Sequence, residues 1–270
     1  MLETKENTMA EICRNCAHEI VFNFCGNCGQ KKVKRIDRNY IKDEIQYTVL
    51  HMNKGFLYSI KKILRAPGTT AREFVEGNRV NHYKPLLLVF VVAGISAFLT
   101  NILLNPQELL IKQYESQGMS TSVATAASSF IFKYSAFIML LLVPFAAFFT
   151  WISFKKWGYN YYENVVITAY SLVCFQVITI ILVLPVQYFL KDNVALFFKI
   201  PSILSLLVLI VVFLWFYIDF YSTKPLSQVL LKSLLFVFLF CLSFMVLMVI
   251  LGIGIGIYSI MNGIDPSSLK

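Results

Sequence analysis

The sequence predicts an all-α integral membrane protein: five transmembrane helices preceded by a small zinc ribbon and by amphipathic interfacial helices. Three observations predict it. Of 270 residues, 57% are hydrophobic and only 14% charged, with a mean hydropathy of +0.66, whereas soluble domains carry about 25% charged residues. The charges are segregated: residues 1–84 hold 15 of the 24 Lys and Arg and 9 of the 15 Asp and Glu, and no arginine follows Arg79. Four of the six cysteines stand as two Cys-x-x-Cys pairs in "CRNCAHEIVFNFCGNCGQ", residues 13–30. The implied boundaries are a cytoplasmic zinc ribbon over 1–36, interfacial helices over 37–84, a five-helix transmembrane bundle over 85–260 and a short external tail over 261–270.

Zinc takes four tetrahedral thiolate or imidazole ligands, and a Cys-x-x-Cys turn lets two sulfurs converge on one ion. Cys13 and Cys16 form one such turn and Cys25 and Cys28 the other, with "AHEIVFNF" between them long enough for a minimal hairpin. Gly26 and Gly29 offer the positive backbone angles that knuckles need. Disulfides require an oxidising compartment, and the amino end is predicted to face a reducing one. A redox pair requires a strand-helix context that is missing. A ribbon this small buries no core of its own, so structural zinc, worth about 10–16 kcal/mol in comparable peptides, would be its fold. His18 reads as an exposed loop residue, and Cys174 and Cys241 as buried apolar residues within spans.

Residues 39–85 read as three short amphipathic helices. In "GFLYSIKKILRAPG", Phe56, Leu57, Ile60, Ile63 and Leu64 recur at helical spacing, while Lys61, Lys62 and Arg65 project elsewhere. That pattern suits a helix lying on an anionic leaflet, and Pro67-Gly68 reads as its stop. Thr70 three residues ahead of Glu73 reads as a capping signature, with Gly77 as the next stop. "GNRVNHYKP" then places Arg79, His82, Tyr83 and Lys84 against the bilayer. The group reads either as a positive-inside anchor or as a lipid or partner site, since Arg holds phosphate bidentately.

Five apolar stretches follow, at about 85–104, 130–153, 164–190, 200–221 and 229–260. Each reaches the roughly 20 helical residues that cross a hydrocarbon core. Pro144 and Pro185 are expected to kink their helices. Gly252 with Gly256, and Ala93 with Ala97, permit close helix approach. An interfacial helix is expected around Glu108 to Gln117. No signal peptide is evident at the amino end. The Lys and Arg bias places the amino terminus inside and the carboxyl terminus outside.

The ribbon (Cys13, Cys16, Phe24, Cys25, Cys28, Gly29, Gln30), the Pro67-Gly68 turn and the Gly77-x-Arg79, Tyr83-x-Pro85 approach together resemble a widespread bacterial family of uncharacterised membrane proteins, known as a domain of unknown function. "WGYNYYENVVITAYS" is similar to that family's aromatic-Asn-aromatic-x-Glu signature. Five spans with the amino end inside also resemble, in architecture alone, the Yip-type membrane proteins. The first likeness implies a bacterial inner membrane as the location; neither implies an activity.

The spans hold few ionisable groups: Lys133 and Lys232 near ends, and Asp219 near the cytoplasmic end of its helix. All three histidines precede the first span. Catalysis inside the bilayer is therefore not expected. The reading is a non-enzymatic scaffold or adaptor that docks a protein partner at the cytoplasmic face or organises anionic lipid, with zinc as its cofactor, no nucleic acid as partner, and homo-oligomerisation left open. The rival is a transporter or lipid-handling protein with a groove between kinked spans, lined by Gln176 and Asp219. An enzyme would have only the Arg79–Lys84 cluster with Glu163 to draw on.

Overall fold

The computed structural model describes residues 11–32, 35–38, 40, 55–80, 82–116 and 129–261. Two-residue strands β1 (Glu11–Ile12) and β2 (Glu19–Ile20) are followed by α1 (Phe56–Arg65), α2 (Pro67–Glu76), α3 (Pro85–Leu104), α4 (Pro106–Ser116), α5 (Ser135–Phe154), α6 (Tyr161–Leu190), α7 (Val194–Phe220) and α8 (Leu226–Met261). Five of these helices, α3 and α5 to α8, are long and apolar enough to cross a membrane. α4 occupies the place predicted for an interfacial helix. The first of the three expected amphipathic helices lies outside the described residues, as does nearly all of the tail.

α6 is the centre of the bundle. It is apolar on every side, and 61% of its most apolar window is buried, against a third or less for the other four. A helix without a polar face has to be surrounded, and α3, α5 and α7 pack around it, with α8 set against α5 and α7. The small polar residues at these interfaces bind one another. Thr168 Oγ1 donates to Thr150 Oγ1 at 3.1 Å, and Thr150 Oγ1 lies 3.1 Å from the Tyr217 hydroxyl, joining α5, α6 and α7. In an apolar interior such bonds hold helices in register, each worth about 0.6–2 kcal/mol. Lys232 reaches the Ser153 carbonyl at 2.9 Å with its ammonium over the Trp157 ring. Cys174 is buried, but Cys241 faces outward from α8, contrary to the expectation that both are interior. The surroundings of Gly252 and Gly256 lie outside what is described.

α2 departs most from its predicted role. Instead of lying on a surface, it is seated on the bundle end formed by α6 and α7, burying Pro67, Gly68, Thr70, Ala71, Phe74 and Val75. Pro67-Gly68 does separate α1 from α2, yet both residues belong to the second helix, Pro67 at its first turn. A Cβ on Gly68 would overlap the amide nitrogen of Phe220 and the carbonyl oxygen of Phe216. The two backbones therefore touch, which a side chain would forbid. Asp219 completes the joint by accepting from the Thr69 amide at 2.8 Å and the Thr69 hydroxyl at 2.7 Å. A carboxylate there satisfies a free N–H of the helix start and meets its positive dipole end. The expected Thr70–Glu73 capping pair does not form: Thr70 Oγ1 donates to the Ala66 carbonyl at 2.6 Å, and Glu73 pairs with Lys62 of α1. Gly77 does stop the helix, at φ 115°.

His82 is enclosed where α1, α2 and the start of α3 meet. Its ring lies edge-on to Tyr58 and Phe74, with centroids 5.5 and 6.1 Å away. Neither ring nitrogen has a hydrogen-bond partner among the described residues. Glu73 Oε2 is 3.6 Å from Nε2, beyond hydrogen-bond reach. Burial and the neighbouring Lys62 charge push the imidazole down to about 4 from 6.5, against the pull of Glu73. A depressed pKa contributes stability that is complete above pH 6.5 and lost as pH falls through 4. The thermal midpoint of the wild type should therefore fall more steeply over this range than that of His82→Phe, which keeps the ring contacts and cannot titrate. Parallel slopes would contradict the assignment.

Candidate metal centre and its seat on the bundle

The two knuckles are near copies. In the first, Cys13 N donates to His18 O at 2.8 Å and Ala17 N to Cys13 O at 2.9 Å; in the second, Cys25 N donates to Gln30 O at 2.7 Å and Gly29 N to Cys25 O at 2.9 Å. The fourth residue after the leading cysteine adopts a left-handed conformation in both, Ala17 at φ 56° and Gly29 at φ 73°. Gly29 therefore serves as predicted, whereas Gly26 does not take a positive angle. Each knuckle is also closed by its own antiparallel pairing: Glu11↔Ile20 and Ile12↔Glu19 around the first, Phe24↔Lys31 around the second. The hairpins thus enclose the knuckles, and "AHEIVFNF" is not itself the hairpin.

The four sulfurs of Cys13, Cys16, Cys25 and Cys28 lie within 4.8 Å of one another, with Cys13–Cys28 at 3.6 Å and Cys16–Cys25 at 3.5 Å. A tetrahedral ion about 2.3 Å from each thiolate sets sulfurs about 3.8 Å apart, so the donor set fits one. No disulfide joins them. The Asn15 side chain and the Gln30 amide draw the Cys28 thiol down to about 6. The His18 backbone works in the same direction on Cys16, but desolvation and the neighbouring thiols outweigh it and raise that group to about 11. Amide donors thus favour the thiolate form a metal needs, and the remaining protons leave when the ion enters. Four sulfurs fill a tetrahedron, leaving no position for substrate. His18 is exposed and is not needed as a ligand.

Three ties hold this ribbon to the helices. Gln30, only 2% exposed, donates from Nε2 to the Gly77 carbonyl at the end of α2. Arg35 makes a fork with Glu163, Nε to Oε1 at 2.9 Å and Nη2 to Oε2 at 3.0 Å, and also reaches the Gly158 carbonyl. Asn160 Nδ2 donates to the carbonyl of Ile36, whose side chain is wholly buried in the bundle core. Asn160 and Glu163 are the capping box that opens α6. The Asn and Glu of "YNYYE" therefore start the central helix and grip the chain leaving the ribbon with the same side chains. The sequence placed Gln30 and Glu163 in motifs but gave no sign of their partners.

The four residues expected to form a lipid or partner site do not share an exposed face. Arg79 Nε donates to the Phe74 carbonyl at 3.1 Å, and its guanidinium stacks over the rings of Tyr40 at 4.7 Å and Phe74 at 5.6 Å. His82 and Tyr83 are buried; the Tyr83 amide donates to Ser59 Oγ at 2.8 Å. Lys84, half-buried, precedes the first turn of α3. Of the expected groove residues, Gln176 borders a cavity of about 260 Å³ reached by Ser96, Thr100 and Asn101 of α3 and Ser135 of α5. Asp219 is elsewhere, fixed to Thr69.

Residues 53–97 match a family described as a protein of unknown function (DUF3667). The match covers α1, α2 and the first two-thirds of α3, the stretch carrying Gly68, Gly77 and His82. No curated protein and no solved structure matches the chain. The likeness to Yip-type proteins therefore rests on span count alone.

Purified chain should carry one equivalent of a thiolate-binding metal, lost in Cys25→Ser and released on acidification from about pH 7 to 5 as the thiolates are protonated. Helical content should survive that loss, because the five long helices pack without the ribbon. Elemental analysis finding no metal, or a Cys13–Cys16 disulfide, would contradict the site.

Proposed function

We propose that the chain is a non-enzymatic scaffold of a bacterial inner membrane, with a cytoplasmic zinc ribbon that docks a protein partner. The observation that carries this reading is the contrast between the residues the ribbon fixes to the bundle and those it leaves exposed. Gln30 and the chain following the ribbon are fixed to the bundle, while Ile12, Val21, Phe22 and Phe24 are 58–81% exposed. Four strongly exposed apolar residues on so small a ribbon offer a partner an apolar surface. A rigidly mounted knob loses little entropy when a partner covers it.

Zinc is the metal this donor set favours, since four thiolates in a tetrahedron suit it and a reducing cytosol keeps them free. The inside placement of the ribbon follows from 15 of 24 Lys and Arg preceding Pro85. Polar side chains of the interior are spent on holding helices together, as with Thr150, Thr168 and Tyr217, which supports a scaffold. The cavity beside Gln176, whose Oε1 has no partner among the described residues, is the one feature favouring the lipid-handling alternative.

Val21→Ser with Phe22→Ser should abolish retention of a specific cytoplasmic protein in quantitative affinity purification from mild detergent. Metal content and thermal midpoint should stay unchanged. An identical set of co-purifying proteins in wild type and variant would defeat the docking role.

A further inference from the structure

A second pocket, of about 380 Å³, opens at the bundle end beside α2, and none of its lining residues belongs to the cysteine cluster. It is the right size for a small ligand. Its walls bring two unlike charges together. Arg72 turns across the opening, with Nη1 donating to the Phe220 carbonyl at 3.0 Å and to Ser222 Oγ at 2.7 Å, and Nη2 reaching Thr69 Oγ1 at 3.4 Å. All three acceptors are neutral. Glu76, one turn further along α2, would ordinarily pair with Arg72 at this spacing; with Arg72 drawn aside, neither makes an ion pair among the described residues. Lys224, exposed on the turn before α8, adds a second cation.

The same pocket is lined by the aromatic residues Trp157, Tyr159 and Tyr221, with Tyr221 edge-on to Trp157 at 4.5 Å. Both α2 side chains that line the pocket act on this wall: burial raises the Tyr159 phenol, the Glu76 charge adds to the rise and the Arg72 charge opposes it. Every wall belongs to the ends of α2, α5 and α7 or the turns that follow them. On the membrane reading, on which this inference rests, that is the depth of lipid headgroups.

We propose that this pocket binds an aminoalkyl phosphate, the chemistry of an ethanolamine phospholipid headgroup, with phosphate at Arg72 and Lys224 and ammonium at Glu76 beside the aromatic wall. Guanidinium and ammonium groups hold phosphate by charge-assisted hydrogen bonds. An ammonium beside a carboxylate gains further from an aromatic face. A phosphate without an amine would leave Glu76 opposing it, so the pocket discriminates by charge pattern.

The test uses the full chain in detergent, titrated with short-chain phosphatidylethanolamine, phosphatidylglycerol of equal chain length and free phosphoethanolamine, and read by native mass spectrometry and thermal midpoint. Phosphatidylethanolamine should bind about threefold or more tighter than phosphatidylglycerol, a preference that Glu76→Gln removes. Lys224→Gln should weaken both lipids about fivefold. Both side chains are exposed, so neither variant threatens the fold. Competition by free phosphoethanolamine would assign the site to a soluble ligand of this chemistry; its failure, with the variant effects intact, would assign it to the lipid. Equal affinity for the two lipids, or no effect of Glu76→Gln, overturns the proposal. A chain that stays monodisperse without detergent would instead sink the membrane reading, and the phosphoethanolamine arm would still decide the pocket.

Discussion

The contact between the backbones of α2 and α7 at Gly68 is the constraint on which the rest of the structure depends. Helices packed through ordinary side chains stand about 8–10 Å apart. Here a missing Cβ brings Gly68 onto the Phe216–Phe220 turn, with the carbonyl carbon of Asp219 only 2.7 Å from where that Cβ would be. At that distance Asp219 can cap α2 directly. α2 then serves as a platform: Phe74 meets Tyr170 of the central helix, Glu73 holds α1 through Lys62, and the Gly77 carbonyl receives Gln30 from the ribbon. The cysteine cluster is thus held to the bundle on two sides, by α2 through Gln30 and by the start of α6 through Arg35 and Ile36, and the α2 side depends on one glycine.

The part of the fold that depends on composition was legible in the sequence. Twenty or more apolar residues in a row have few alternatives to a buried or membrane-crossing helix, and the five stretches appear where hydropathy puts them. Two Cys-x-x-Cys turns carry their own geometry, so the sulfur cluster was legible as well. What was not legible has a common cause, a partner far away in sequence. Pro67-Gly68 looked like punctuation because nothing local says that residue 216 or 220 lies against it. Arg79, His82 and Tyr83 looked like a surface group because they adjoin the first span. Tyr40, Phe74 and Ser59, which cover or bind them, come from segments whose paths periodicity does not give. Thr70 and Glu73 matched a capping box, yet proline at the first position of α2 and Asp219 from α7 made another solution better.

The arrangement also accounts for the short motifs that run through the chain. Gln30 of the ribbon and Gly77 of α2 are two halves of one hydrogen bond. Asn160 and Glu163 open α6 and bind Ile36 and Arg35. Motifs that look like separate fragments in sequence are the matching faces of the ribbon and the bundle. The matched family region, residues 53–97, spans the platform. A firm seat for the cysteine ribbon, with Ile12, Val21, Phe22 and Phe24 left exposed, is the physical basis for reading the chain as a scaffold.

The most direct test of this account compares Gly68→Ala with Gly94→Ala by thermal unfolding of the full chain in detergent. A Cβ on Gly94 meets nothing within 4 Å, and alanine in a helix is favoured over glycine by about 1 kcal/mol, so that variant should unfold at or above the wild-type midpoint. Gly68→Ala forces two backbones apart and should cost about 1–3 kcal/mol or more, lowering the midpoint. Because the ribbon's seat moves with α2, cysteines introduced at Gln30 and Gly77 should also cross-link less readily in the Gly68→Ala background. Equal midpoints and equal cross-linking for the two glycine variants would show that α2 does not depend on the close approach, and the account would fail.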